Sequence, residues 1–323
     1  TKDSKVETSS IVVEPYTSKI LAIIGGKDYA SSQFNRATQA NRQIGSTIKP
    51  LLYYLALENG FTPATTFLCE PTTFKLDDNS TYSPSNFNDK YAYKDVTLAQ
   101  AIAVSDNIFA VKTHLFLGTD NLASLIKKFG IKDVKANASL ALGTLNTNIY
   151  NLANMYNCLA SEGKYNHLYT IEKITNDAGK VLYQHEQEDK QLLEQDSCLE
   201  LSQLLTSTFN STFSTYLQAT MASYQLDNIN ACKTGSTDVD NLAVAYNPQV
   251  LVASWVGYDD NRKMETADDK TVAKKTVIDV LNYTNENKDV TWYQPTEDLQ
   301  QIAINPLTGD FDENGTVYWF KKD

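Results

Sequence analysis

The chain has 323 residues, enough for one large domain or two modest ones, and 42% of them are hydrophobic, far from the composition of a disordered chain. The 28 Lys and Arg against 39 Asp and Glu give a net charge of −11, which argues against a surface that gains affinity by neutralising phosphates, so no nucleic acid partner is expected. The longest aliphatic run, Ile20–Ile24, is far short of the roughly 18 residues that a bilayer span needs, and Thr1 to Thr8 carry no apolar signal core.

In chain order, Ser10–Pro15 and Ile20–Ile24 read as two short strands joined by a turn at Pro15, Thr17 and Ser18, with Gly25-Gly26 closing the second. Ser46 opens a helix: Ile48, Leu52 and Leu55 share a face, Pro50 falls in the first turn where its missing N–H costs nothing, and Asn59-Gly60 supplies a stop. Pro63 to Lys94, rich in Thr, Asn, Asp, Ser and Tyr, reads as a long irregular excursion. Three helices are expected between Thr97 and Gly130, broken at Ser105-Asp106-Asn107 and Gly118-Thr119-Asp120. Asn148–Glu162 is another helix, Thr170–Tyr183 a hairpin around Asp177-Ala178-Gly179, and Leu192–Phe213 is helical again.

Ala231–Ser236, Leu242–Tyr246 and Val250–Tyr258 then form the short apolar runs of an antiparallel meander, followed by a helix over Val272–Tyr283. Trp292 to Asp323, with Pro295, Pro306 and Gly309, shows little periodicity and reads as a small appendage. Strands at both ends and helices between them imply an α+β fold, an antiparallel sheet built from N- and C-terminal strands with a helical subdomain. The expected division is a domain over 1–290 and a C-terminal appendage over 291–323.

Cys69, Cys158, Cys198 and Cys232 form no C-x-x-C pair, and His114, His167 and His185 are dispersed, so neither a metal site nor a His-based triad is expected. Cys232 reads as a buried inert thiol, Asp259-Asp260-Asn261 as a solvated turn without EF-hand spacing, and the Lys270–Lys275 cluster as an exposed helix start.

Chemistry concentrates in three short patterns that occur in order: Ser46-Thr47-Ile48-Lys49, Ser105-Asp106-Asn107 and Lys233-Thr234-Gly235. Ser-x-x-Lys also occurs at Ser124 and Ser161, but only Ser46 opens a helix directly after a glycine. There the free N–H groups and the dipole of the helix favour the negative charge that develops when a hydroxyl attacks a carbonyl. Lys49 lies one turn on, on the same face. To take a proton near neutrality a lysine must fall from about 10.4 to roughly 7 or 8, through burial beside a second cation, and Lys233 is the candidate cation. Taken singly, Ser46 could be a helix cap with Lys49 solvated, and Ser105 and Asn107 mere loop formers.

The ordered triple resembles that of penicillin-binding proteins and class A β-lactamases. With the runs Gly25–Tyr29, Gln33–Ala37, Gly45–Pro50, Tyr82–Phe87, Leu140–Thr144 and Trp255–Asn261, the chain from about Ile11 to Tyr283 is similar to the transpeptidase domain of class A penicillin-binding proteins. Ile44 departs from the proline that many relatives carry.

The resemblance implies D,D-transpeptidation of peptidoglycan stem peptides, with a D-Ala-D-Ala donor, an amine acceptor, no cofactor, and β-lactam antibiotics as covalent inhibitors of Ser46. It further implies Lys49 as general base, Ser105 as proton relay to the leaving amine, Asn107 as the amide aligning the acyl donor, and Lys233 as positive charge. Thr234 and Ser236 would hold the substrate carboxylate, Gly235 would let it approach, and backbone N–H groups of Ser46 and Ser236 would form the oxyanion hole. Strict strand alternation would not bring both Lys233 and Thr234 to the cleft, so their joint role rests on the resemblance. Class A members carry a membrane anchor and a glycosyltransferase domain upstream, so an ectodomain segment on the extracytoplasmic face of the bacterial membrane is expected.

Two rivals share the motifs. A β-lactamase would hydrolyse the acyl-enzyme, and Glu162-Gly163-Lys164-Tyr165-Asn166 has the Glu-x-x-x-Asn spacing of a deacylating loop. A non-catalytic β-lactam sensor or scaffold would keep all three motifs.

Overall fold

Apolar runs at the two ends of the chain meet in one five-stranded antiparallel sheet. The computed structural model describes residues 5–76, 79–188, 190–286 and 288–322; Thr1–Ser4 of the polar opening lie outside them. Strands β1 (Glu7–Glu14) and β2 (Lys19–Ile24) come from the N-terminus, and β3 (Ala231–Ser236), β4 (Asp240–Tyr246) and β5 (Leu251–Gly257) from the last third, in the order β3-β4-β5-β1-β2. The joining register sets Glu7 opposite Gly257 and Val13 opposite Leu251. Period-two side chains serve two cores. Ile11, Val13, Leu242, Val244, Tyr246 and Trp255 face the helical subdomain, and Val12, Ala243, Ala245, Val252 and Val256 pack with Ala273, Val277 and Leu281. All seven residues of β5 are buried because both faces are covered.

The helical subdomain comprises α1 (Lys49–Glu58), α2 (Leu98–Val104), α3 (Asn107–Leu117), α4 (Thr119–Lys128), α5 (Ile149–Ala160) and α6 (Gln195–Leu205); α7 (Ala267–Asn285) covers the other side of the sheet. Helix α1 is apolar nearly all round and buries eight of its ten residues, Lys49 among them, which makes it the central helix. Short two-residue and three-residue strand pairs tie the 63–97 excursion together, notably Thr66–Leu68 with Asp95–Thr97.

Three expectations change. Helix α7 starts at Ala267, five residues before the apolar pattern, because Thr266 caps it by accepting from the Asp269 N–H and Asp268 and Asp269 occupy its first turn. Lys274 is not on an exposed helix start: it is partly buried and its Nζ donates to the Thr220 carbonyl at 3.0 Å. The C-terminal stretch is a regular hairpin, β6 (Leu299–Ile304) with β7 (Thr316–Lys321), whose alternation was masked by the Pro306-to-Gly309 bend between the strands. Leu299, Ile304, Tyr318 and Trp319 join the main core.

Where that hairpin docks on α6 it covers Glu200, which is 2% exposed. Burial pushes its carboxyl up to about 8, with Lys321 opposing the shift. A folded-state value above the unfolded one means that this contribution is complete below about pH 4.3 and is lost as pH rises toward 8, at up to about 1.4 kcal/mol per unit. The melting temperature should therefore fall more steeply between pH 5 and 8 in the wild type than in Glu200→Gln; parallel curves would refute this.

Candidate active site

The turn before α1 is built by close backbone packing. Gly45–Ile48 is a 3₁₀ turn that runs straight into α1, so Ser46 stands one turn ahead of the α-helix rather than within it. Gly45 (φ +52) and Gly143 (φ +81) have left-handed backbone conformations. A methyl group on Gly143 would lie 1.9 Å from the Gly45 carbonyl oxygen, and one on Gly45 would lie 2.7 Å from the carbonyl oxygen of Ser236 and 3.1 Å from its nitrogen. The backbone of the Ser46 turn thus presses on the end of the edge strand β3. Tyr156 of α5 supports it from below, its hydroxyl donating to the Thr47 carbonyl at 2.7 Å.

Helix capping explains the second motif. Ser105 is the left-handed C-cap of α2 (φ 61, ψ 44), and Asp106 is the N-cap of α3, accepting from the Phe109 N–H at 2.7 Å. A non-glycine residue there costs roughly 1–2 kcal/mol. The reversal turns two consecutive carbonyls and one side chain toward Lys49. Lys49 Nζ donates to Ser105 O (2.8 Å), Asp106 O (3.1 Å) and Asn107 Oδ1 (2.7 Å), with Ser105 Oγ at 3.4 Å.

Lys233, on β3, reaches the same hydroxyl from the sheet side: its Nζ donates to Ser105 Oγ at 2.8 Å and to Thr234 O at 2.7 Å. Both lysines are 0% exposed. Burial lowers Lys49 to about 7, with the Asp106 charge opposing. Burial and then the neighbouring Lys49 charge hold Lys233 well below the ordinary lysine range. The three motifs therefore meet at Ser105, and it is burial, not a second cation, that loosens a proton from Lys49.

The remaining candidates lie along the strand edge. Lys233 and Thr234 stand on opposite faces, since their cross-strand partners Val244 and Ala243 belong to the two different cores. Gly235 faces the Ser46 turn, where an added methyl would meet the Ile44 carbonyl oxygen at 2.6 Å. Ser236 is exposed, and its hydroxyl donates to Asn241 Oδ1 at 2.7 Å. Beyond it a polar groove of about 530 Å³ runs between Gln43, Asn146 and the Thr237–Asp240 turn. That turn is anchored by the buried Asp240 carboxylate, whose Oδ1 accepts from Arg42 (2.7 and 2.9 Å) and from the Trp255 indole (2.8 Å).

Elsewhere the single-residue readings divide. Cys232 is 0% exposed and pushed up to about 12 by burial, an inert thiol as expected. Asp259 is more than a solvated turn residue: it takes two hydrogen bonds from Arg36, at 2.8 and 2.6 Å, tying the loop after β5 to the segment before the Ser46 turn. Glu162, at the end of α5, accepts from the Tyr16 hydroxyl and from Gln195, both at 2.6 Å. It lies past the C-cap Ser161 of α5, whereas the contact with the Ser46 turn is made by Tyr156 within the helix. Sequence reasoning missed Asp106, Arg42, Tyr156 and Tyr216, none of which sits in a motif position expected to touch the chemistry; only the match over Tyr82–Phe87 pointed to Asn86.

A sheet closed from both chain ends packs on a central buried helix, and lysines of the first and third motifs meet at the serine hydroxyl of the second. The chain belongs to the penicillin-binding protein transpeptidase family, whose model, "Penicillin binding protein transpeptidase domain", matches residues 8–268. It is 39% identical over 310 residues to penicillin-binding protein 2D of Bacillus subtilis (strain 168), covering 95% of this chain and 45% of that protein. It is 33% identical over 312 residues to penicillin-binding protein 1A of Aquifex aeolicus (strain VF5), covering 93% and 41%. The chain thus spans less than half the length of these relatives.

Penicillin-binding protein 1A from Haemophilus influenzae shares the fold with a TM-score of 0.88 at 23% identity, over 98% of this chain and 53% of that one. PonA1 from Mycobacterium tuberculosis, solved in complex with penicillin V, shares it with a TM-score of 0.76 at 20% identity, over 91% and 82%. The expected α+β architecture and the class A penicillin-binding protein resemblance are both borne out.

Proposed function

We propose that this chain is a serine D,D-transpeptidase that cross-links peptidoglycan stem peptides through an acyl-enzyme on Ser46. The observation that carries the reading is the convergence of two fully buried lysines, Lys49 and Lys233, on the Ser105 hydroxyl beside the Ser46 turn. Ser46 Oγ attacks the penultimate carbonyl of a stem ending in D-Ala-D-Ala, and Lys49 accepts its proton. Ser105 relays a proton to the leaving amine as the C–N bond breaks and D-alanine departs. An amine of a second stem then attacks the ester carbonyl and regenerates Ser46. Asn107 aligns the donor, Lys233 supplies positive charge, and Thr234 and Ser236, on the other face of β3 from Lys233, hold the carboxylate at the strand edge, while the missing side chain of Gly235 admits the Ser46 turn rather than the substrate. The N–H groups of Ser46 and Ser236 take the oxyanion, a role supported by the Gly45–Ser236 backbone contact.

β-Lactams acylate Ser46 in place of the donor. D,D-carboxypeptidase activity follows where water replaces the amine. Efficient β-lactam hydrolysis is disfavoured by the hydrogen bonds that hold Glu162 to Tyr16 and Gln195. The reading extends to a transpeptidase domain over 1–290 with a C-terminal appendage over 291–323, working on the extracytoplasmic face of the bacterial membrane as part of a longer, membrane-anchored protein. Among the described residues no helix is long and apolar enough to cross a membrane.

Incubation with a D-Ala-D-Ala donor and an amine acceptor should give cross-linked product and free D-alanine by mass spectrometry. Stable acylation by penicillin without release of D-alanine would favour a sensor, and rapid release of hydrolysed penicillin a β-lactamase.

A further inference from the structure

The middle residue of the second motif is the most completely bonded polar group near the candidate site. Asp106 is 0% exposed. One carboxylate oxygen accepts from the Phe109 N–H at 2.7 Å; the other accepts from Asn86 Nδ2 (2.7 Å), the Tyr216 hydroxyl (2.7 Å) and the Cys69 thiol (2.9 Å). The donors come from three separate parts of the chain: the 63–97 excursion, the first turn of α3 and the segment leading toward β3. Asn86 also accepts from the N–H of Asn107 at 2.6 Å, and Asn107 Nδ2 donates to Ser85 O at 2.7 Å. A left-handed serine at a helix end persists only where its surroundings over-determine it. These contacts do that, and they fix the three oxygens to which Lys49 donates.

We propose that Asp106, held by Tyr216 and Asn86, is a positioning residue for Lys49, fixing the Ser105 and Asp106 carbonyls and the Asn107 amide that surround its nitrogen. Its carboxylate also acts on the lysine through space. The inference rests on the transpeptidase reading above. The polar and titratable groups around Lys49 are Ser105 and Asp106 at the α2–α3 junction, Lys233 on β3, which shares the Ser105 hydroxyl with it, and, through Asp106, Tyr53, Cys69 and Tyr216. Burial lowers Lys49 and Asp106 alone opposes it. Removing that charge lets Lys49 lose its proton at lower pH, and a less basic amine is a weaker general base.

The test is the acylation rate constant for a fluorescent penicillin, per active site, from pH 5 to 9, with melting temperatures recorded alongside. In Asp106→Asn the acid limb should move down by about one pH unit and the plateau rate fall about threefold or more. Tyr216→Phe keeps the charge, so its acid limb should stay in place while its rate falls about threefold. An unmoved limb in a folded Asp106→Asn protein would reduce Asp106 to a structural cap and overturn the proposal. Should Asp106→Asn fail to fold, an undiminished rate in Tyr216→Phe overturns it as well. A wild-type protein that is not acylated at all would overturn the transpeptidase reading together with this inference.

Discussion

Substitution of Ser46 by alanine should abolish covalent labelling by a fluorescent penicillin, with acylation expected to fall on the order of 10⁵-fold or more. The reason is positional. Ser46 sits in the 3₁₀ turn that feeds the N-terminus of α1, where free N–H groups favour a developing oxyanion, and its backbone is held against β3 by two glycines. The other hydroxyl of the cluster, on Ser105, already takes a hydrogen bond from Lys233 and lies 3.4 Å from Lys49 Nζ, which suits the relay role proposed for it, and it is not expected to replace Ser46. Gel fluorescence and intact mass decide the matter, and persistent labelling of the variant would place the nucleophile elsewhere.

The second large effect belongs to Lys49. Arginine at this position keeps the positive charge but cannot release a proton near neutrality, so Lys49→Arg should lower the acylation rate by about 10³-fold while leaving Ser46 in place. In the wild type the group that must be neutral is a lysine lowered to about 7 by burial, so the acylation rate should rise as pH passes through about 7 and level off above it. A rate independent of pH between 5 and 9 would remove Lys49 from the role of base. A melting temperature measured in parallel separates the loss of the base from the strain of fitting a guanidinium into a fully buried slot.

Much of this architecture is written locally. The Asn59 and Gly60 stop, the three helices between Thr97 and Gly130, and the meander after Ala231 follow from apolar spacing and capping chemistry, which act over a few residues and are therefore visible in a linear string. The three motifs were legible as short patterns in a fixed order; that Asp106 caps α3 appears only in the structure. The β6–β7 hairpin was not legible, because a proline- and glycine-rich bend divides its strands and its inward face is recognisable only against α6. The hydrogen bonds of Lys274 and Asp259 were not legible, because their partners, Thr220 and Arg36, are brought to them from distant parts of the chain.

What the residues determined by themselves was the set of candidate side chains and the elements that carry them: a serine at a helix entrance, a helix junction, a lysine on a strand. What only the tertiary structure decided was the ionisation of those groups. A lysine is strongly basic in any sequence. Lys49 is lowered only because the packing around α1 leaves its nitrogen fully buried, cut off from water, against the opposing charge of Asp106. Desolvation and through-space charge depend on packing between segments far apart in the chain, and neither is encoded at the lysine itself.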